Sequence, residues 1–247
     1  MGIWVFLMTI CAGVCFGALA HRYAAYKIAL GPEPEEEDEK AMQAAYAARR
    51  FSWQKFLSYG ESRRRAERYF FAVCSAGIWG IFLKIFGLDW TFPLYALTVS
   101  ILMALSLVDT EIQELPPELN LLTGILGALH LMTDIGNWAE YLIGAVLVSG
   151  MLFLIGLLRF RGQEAMGGGD VKLMAALGLL LGWKKILLVL VIGCILGTAI
   201  HLTLMLFAKK SNRLAFGPYL AMGALVTMCF GQQIIDWYIG FLTAAIR

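Results

Sequence analysis

Long apolar runs alternate with short polar connections along most of this chain, and most of the runs approach the length that crosses a membrane. An α-helix rises about 1.5 Å per residue, so roughly 20 apolar residues span the hydrocarbon core of a bilayer. The pattern predicts eight such helices, at residues 3–20, 69–87, 91–108, 119–133, 140–158, 171–183, 186–207 and 214–231. We therefore predict an all-α, polytopic membrane protein with about eight transmembrane helices.

Two stretches leave alternatives open. Residues 171–183 would form a helix of roughly 20 Å, so either the preceding glycines extend it or it does not cross the membrane alone. Residues 232–246 contain Gln232, Gln233 and Asp236. They either continue the last helix or lie at the membrane interface, where the aromatic pair Trp237 and Tyr238 is favourable.

Composition agrees with this fold class. The chain is 60% hydrophobic and 15% charged, against about 45–50% and 25% in soluble domains. Its formal net charge is +2, and neither a nucleic-acid partner nor a cofactor is predicted. The cysteines all lie in apolar segments, as Cys11, Cys15, Cys74, Cys194 and Cys229. Because none forms a CxxC pair, no disulfide framework, structural zinc or other metal site is predicted.

One long polar segment, residues 21–68, divides the chain into a first part, 1–68, and a core of about seven helices, 69–247. An acidic run at 33–39 predicts a solvated loop. Residues 41–59 favour one or two helices near the membrane surface. The run Arg63, Arg64 and Arg65 is predicted to bind anionic lipid headgroups.

The basic residues predict the orientation. With residues 21–68 in the cytoplasm, ten of the 20 Lys and Arg residues lie in that segment and six more fall in other cytoplasmic stretches. Lys184 and Lys185 are exceptions to this pattern. Because the other stretches agree with it, the positive-inside rule places both ends of the chain outside.

Two acidic residues fall at one boundary in this topology. Asp109 ends the third predicted helix, and Asp170 follows Gly167, Gly168 and Gly169 at the start of the sixth. A carboxylate at membrane depth is costly and indicates a functional site. Two carboxylates brought together share a proton, so one can activate water while the other polarises a peptide carbonyl. The pair predicts aspartyl peptide hydrolysis.

Simpler interpretations exist for each acid. Asp109 could face lipid headgroups, and Asp170 could cap a helix after a flexible glycine loop. The nearby acids Glu111, Glu114 and Glu118 are interpreted as interfacial residues of this kind.

Other functional classes are also open. Paired acids serve proton relays in transporters, and a structural subunit of a pilus or secretion machine is a third alternative. Transporter sites usually lie near the midplane between broken helices. The acids here lie at one face, which favours hydrolysis over transport.

The motifs together resemble type IV prepilin peptidases. They are Asp109 with Pro116 seven residues later, Gly-x-Gly-Asp-x-Lys from Gly167 to Lys172, and Phe216-Gly217-Pro218-Tyr219. The resemblance implies an aspartyl endopeptidase of the bacterial inner membrane that removes the leader of type IV prepilins or pseudopilins at the cytoplasmic face. Asp109 and Asp170 would be its catalytic pair, and the remaining motif residues would bind substrate.

The sequence departs from that family in its first loop. Many members carry two CxxC pairs there and also methylate the new amino terminus. Residues 21–68 contain no cysteine. Zinc in this loop and methyl transfer are therefore not expected, whereas the peptidase residues are retained.

Overall fold

A computed structural model describes residues 3–31, 65–157, 159–160, 163–164, 167–208 and 215–245. The α-helices of these ranges are α1 (Ile3–Leu30), α2 (Arg65–Phe86), α3 (Thr91–Ile112), α4 (Pro117–Thr133), α5 (Trp138–Gly156), α6 (Gly168–Ala208) and α7 (Gly217–Ala245). A short 3-10 helix, Ile135–Asn137, precedes α5. The predicted all-α class is confirmed.

The sheet content of the described ranges is a two-residue hairpin between α5 and α6. Strand β1 (Arg159–Phe160) pairs antiparallel with β2 (Gln163–Glu164). The predicted acidic loop, the surface helices and two of the predicted lipid-binding arginines, Arg63 and Arg64, lie outside the described residues. The third, Arg65, begins α2.

Six helical segments of the described chain are long and apolar enough to cross a membrane. They are Ile3–Leu30, Glu67–Phe86, Thr91–Ile112, Ile135–Gly156, Gly168–Thr203 and Gly217–Ala244. Helix α4 is shorter, with 17 residues. The prediction of a multi-pass membrane protein is confirmed. Of the two alternatives for residues 232–246, the structure has the continuous helix, because α7 runs unbroken to Ala245.

Helix α1 extends ten residues beyond its predicted end at residue 20. Because residues 21–30 contain Arg22 and Lys27, the sequence pattern assigned them to the start of the polar segment. In the structure Ala24, Ala25 and Tyr26 are buried, because α1 packs on α2 and α3 through this last third. The predicted boundary was wrong since apolar packing on one face outweighs two charges on the other.

Helix α6 bends sharply at Gly182, where φ is 78° and ψ is 170°. Its first arm begins beside α4, where the Asn120 side-chain amide meets the Gly169 carbonyl. Its second arm runs antiparallel to α7. A Cβ added to Gly193 would contact Leu220, whereas a Cβ added to Gly197, further along α6, would contact Tyr219, which comes earlier in α7.

Both arms therefore approach one end of the bundle, and the chain reverses at Gly182. This agrees with the two separate helices predicted at 171–183 and 186–207. We call this end, where α3 ends and where α4, α6 and α7 begin, the proximal end. The opposite end is the distal end.

Replacing Gly182 by alanine is expected to destabilise the protein by about 1–3 kcal/mol, because this backbone conformation is essentially restricted to glycine. Thermal unfolding of the detergent-solubilised protein measures the effect. Gly150→Ala in α5 is the control, since no atom lies within 4 Å of the added methyl group. Equal stability of the two variants would show that the reversal does not depend on glycine.

Close backbone contacts hold the helices together. Gly13 and Gly17 of α1 face Ala72 and Ala76 of α2 so closely that an added Cβ would clash. A Cβ on Gly178 of α6 would likewise strike the Gly144 backbone of α5. Small residues at helix interfaces permit such approach in membranes, where packing rather than hydrophobic burial drives association.

Candidate active site

Asp109 lies in the last turn of α3 and is 6% exposed. Its Oδ2 accepts a hydrogen bond of 2.8 Å from the backbone N–H of Gly217, at the start of α7. The first N–H groups of a helix have no partner within it, and they attract negative charge. A Cβ on Gly217 would lie 2.8 Å from the same oxygen. The glycine therefore lets the amino end of α7 touch the carboxyl group of Asp109.

Asp170 lies in the first turn of α6 and is 9% exposed. Its backbone N–H donates to the Gly167 carbonyl at 3.2 Å. The side-chain atom Oδ1 is buried without a hydrogen-bond partner among the described residues. Leaving a buried carboxyl oxygen unpaired is unfavourable. The protein itself therefore leaves one hydrogen-bonding position of Asp170 unused.

The two aspartates share one cavity of about 720 Å³ at the proximal end. Pro116 and Gly167, Gly168 and Gly169 also line this cavity. The structure thus brings together most of the residues that the motifs single out, and their functional roles stay predictions.

The structure gives a different physical reason for the glycine run than the one inferred from the sequence. Within the described chain, none of Gly167, Gly168 and Gly169 has a positive φ, and α6 already begins at Gly168. A Cβ on Gly169 would lie 2.8 Å from Leu115 Cβ, whereas one on Gly168 would meet nothing within 4 Å. Close approach to Leu115, rather than a flexible loop, explains the glycine at 169.

The remaining motif residues occupy different positions. Phe216 and Pro218 are half-buried beside Gly217, and Phe216 lies against Gly197 of α6. Lys172 is exposed and does not line the cavity. A direct part in catalysis is therefore not supported for Lys172 by its position.

The cavity has a wall that the sequence did not predict. Lys27 Nζ of α1 binds Glu118 Oε1 of α4 at 2.7 Å, and the Tyr23 hydroxyl donates to Glu118 Oε2 at 3.3 Å. All three residues, with Tyr26 and Glu114, line the cavity. Glu114 and Glu118, which the sequence indicated as interfacial residues, thus also line the cavity. The apolar spacing of residues 24–30 was the signal that α1 continues to this wall.

Replacing Lys27 by methionine is expected to lower the free energy of unfolding by no more than about 1 kcal/mol, because the ion pair is partly exposed. Thermal unfolding at low and high salt checks this, and the difference from wild type should shrink as salt rises. Lys184→Met is the control: Lys184 pairs with Glu140 at 3.2 Å at the distal end. A much larger effect at Lys27 alone would show that this ion pair holds α1 in place.

Metal ligands are not clustered in the part of the chain that the structure describes: it contains no group of three or more His, Cys, Asp or Glu residues placed to hold an ion. Most of residues 21–68, for which the sequence predicts no zinc, is outside that part.

Comparison with known proteins assigns a family resemblance to the region that holds both aspartates. Residues 96–202 match the type IV leader peptidase family. A prepilin leader peptidase/N-methyltransferase of Xanthomonas campestris pv. campestris is 34% identical over 176 residues, covering 68% of this chain and 59% of the relative.

Two further proteins of the same name match over shorter stretches. One from Aeromonas hydrophila is 33% identical over 150 residues, covering 56% of this chain and 50% of the relative. One from Legionella pneumophila is 35% identical over 153 residues, covering 59% of this chain and 52% of the relative. The chain thus matches between half and three-fifths of the length of these relatives, and no solved structure matches it. The predicted resemblance to type IV prepilin peptidases is confirmed over the helices that carry Asp109 and Asp170.

Proposed function

We propose that this protein is an aspartyl endopeptidase that removes the leader peptide of type IV prepilins or pseudopilins. The observation that carries the proposal is the pair of buried carboxyl groups, Asp109 and Asp170, in one cavity at the end of a membrane bundle. The leader peptidase family and the relatives match the same region. The depth of the pair also favours hydrolysis over transport, because transporter sites usually lie near the midplane.

The two aspartates suit different parts of the reaction. The Gly217 N–H donates to Asp109, an arrangement that suits an ionised carboxylate, which then takes a proton from the attacking water. Asp170 Oδ1 faces no donor and suits the protonated partner, which donates a hydrogen bond to the scissile carbonyl. Water adds to the carbonyl carbon, and the tetrahedral intermediate collapses as the leaving amine takes a proton. A new carboxyl group and a new amino terminus result.

The substrate must enter as an extended strand. In a helix the carbonyl oxygens are held by intrahelical hydrogen bonds. The cavity offers room for a strand beside α4 and the first turn of α6, where Pro116 and Gly168 lie. Local unwinding of the leader junction is therefore part of substrate binding.

The location of cleavage follows from the basic residues. With residues 21–68 in the cytoplasm, the proximal end of the bundle is cytoplasmic by the positive-inside rule. The proposed setting is the inner membrane of a bacterium, in line with the bacterial sources of the relatives.

Cleavage of a synthetic prepilin by the purified protein tests the proposal. A single cut at the leader junction, identified by mass spectrometry of both products, is the expected result. Failure to cleave any of a panel of prepilins and pseudopilins, by protein that unfolds cooperatively on heating, would contradict it.

Metal removal should leave this cleavage unchanged, because two aspartates activate water without a metal ion. The names of the relatives include methyl transfer, and the proposal does not extend to it because residues 21–68 lack cysteine. The measurement is cleavage rate with and without a chelator, together with the mass of the mature product when S-adenosylmethionine is supplied. Loss of activity on chelation, or a product heavier by one methyl group, would overturn this expectation.

A further inference from the structure

Asn120 binds the backbone that carries Asp170. Asn120 lies near the start of α4 and is 5% exposed. Its Nδ2 donates a hydrogen bond of 3.2 Å to the Gly169 carbonyl oxygen, 49 positions later in the chain. This contact joins α4 to the first turn of α6, next to the catalytic cavity.

The peptide group between Gly169 and Asp170 is held on both sides. Its carbonyl accepts from Asn120, and its N–H donates to the Gly167 carbonyl at 3.2 Å. A peptide group is planar, so fixing both polar atoms fixes its orientation. The position of the Asp170 Cα, from which the side chain leaves the backbone, is then set.

The glycine run needs such an external partner. Gly167, Gly168 and Gly169 have no side chains with which to anchor themselves, and glycine loses more conformational freedom on ordering than other residues. Leu115 limits Gly169 on one side by packing. Asn120 supplies the polar contact that packing cannot provide.

The oxygen of the Asn120 side-chain amide takes no part in this contact. This atom, Oδ1, is buried without a hydrogen-bond partner among the described residues, and an unpaired buried amide oxygen is destabilising. The amide donor of Asn120 is the feature that the site uses.

We propose that Asn120 is a positioning residue that fixes the Gly169–Asp170 peptide and so aims the Asp170 carboxyl group at the substrate. This inference rests on the proposed peptidase function. Asn120 does not line the cavity, so it acts through Asp170 and not on the substrate.

Asn120→Leu and Asn120→Asp test the proposal. Leucine has a similar volume and removes both the donor and the unpaired oxygen, so the fold should be kept. Aspartate keeps the shape and replaces the amide donor by a carboxyl group. For both variants we expect kcat to fall about 10-fold to 100-fold, as for a small misplacement of a catalytic group, with KM little changed. The pH profile of kcat should shift as well, because the position of the Asp170 carboxyl group relative to that of Asp109 changes.

Thr123→Val is the matched control. Thr123 is fully buried one turn further along α4, and its hydroxyl donates within the helix to the Leu119 carbonyl. This variant should keep the wild-type kcat and pH profile. An equal fall of kcat in Thr123→Val, or full activity in Asn120→Leu, would overturn the proposal.

A readout that does not depend on cleavage separates the two proposals. Dicyclohexylcarbodiimide reacts with protonated carboxyl groups in apolar surroundings, and mass spectrometry of peptides measures labelling of Asp170 as a function of pH. A changed labelling profile in Asn120→Leu supports the positioning role even if wild-type protein cleaves no prepilin. An unchanged profile together with unchanged kcat in active protein would overturn it.

Discussion

Asp109→Asn and Asp170→Asn are each expected to abolish leader cleavage while leaving the protein folded in the membrane. Each substitution keeps the side-chain shape but removes one member of the acid/base pair, and this form of catalysis contributes about 10²–10⁴-fold. Because the two carboxyl groups act as a unit, the double variant should be hardly less active than either single variant. Initial rates of prepilin cleavage, measured over a range of enzyme concentrations, give these values.

Asp134→Asn provides the matched control. Asp134 is also an acid near a helix end, but it lies at the distal end, where it accepts hydrogen bonds from Tyr141 and Asn137. This variant should cleave at the wild-type rate. Near-normal cleavage by either Asp109→Asn or Asp170→Asn would show that the dyad assignment is wrong.

Gly169→Ala should inactivate the enzyme far more than Gly168→Ala. The added methyl group at 169 would lie 2.8 Å from Leu115 Cβ, so the connection between α3 and α4, which contains Leu115, and the first turn of α6 must move apart. Overpacking of this kind costs about 1–3 kcal/mol, and the movement displaces Asp170 directly. At 168 the methyl group meets nothing within 4 Å, and alanine favours the helix by about 0.5–1 kcal/mol.

Cleavage rates and thermal unfolding of the two alanine variants make the comparison. The expected pattern is activity loss of at least about tenfold in Gly169→Ala, by the sensitivity of catalysis to small displacements, with Gly168→Ala as active as wild type. If both variants were equally active, the run would serve only as a connection. If both were inactive, a requirement for backbone freedom would replace the packing explanation.

The helices could be predicted because membrane crossing imposes a length on apolar runs. Even the reversal in α6 was visible, since Gly182, Lys184 and Lys185 interrupt an otherwise continuous apolar stretch. The end of α1 could not be predicted, because its last third is stabilised by packing on α2 and α3 and not by its own sequence. Local pattern fixes where a helix can lie, while neighbouring helices decide where it ends.

The candidate pair of aspartates was predictable for a different reason. A carboxyl group at membrane depth, such as that of Asp109 or Asp170, is energetically unfavourable, so each aspartate is easily recognised in the sequence. The distribution of basic residues then assigns both to one side of the membrane. Their supporting residues are not conspicuous. Lys27 and Glu118 are 91 positions apart, and the Asn120 contact spans 49. Only the packed bundle reveals such pairs.

The hydrogen bond from Gly217 to Asp109 has a consequence for biosynthesis. Its two partners are 108 positions apart, and the donor is the leading end of the last helix. During synthesis Asp109 enters the membrane long before Gly217 leaves the ribosome. A nascent chain that already contains both aspartates therefore still lacks the group that holds the first of them. Under the proposed function, cleavage therefore requires that α7 has been inserted.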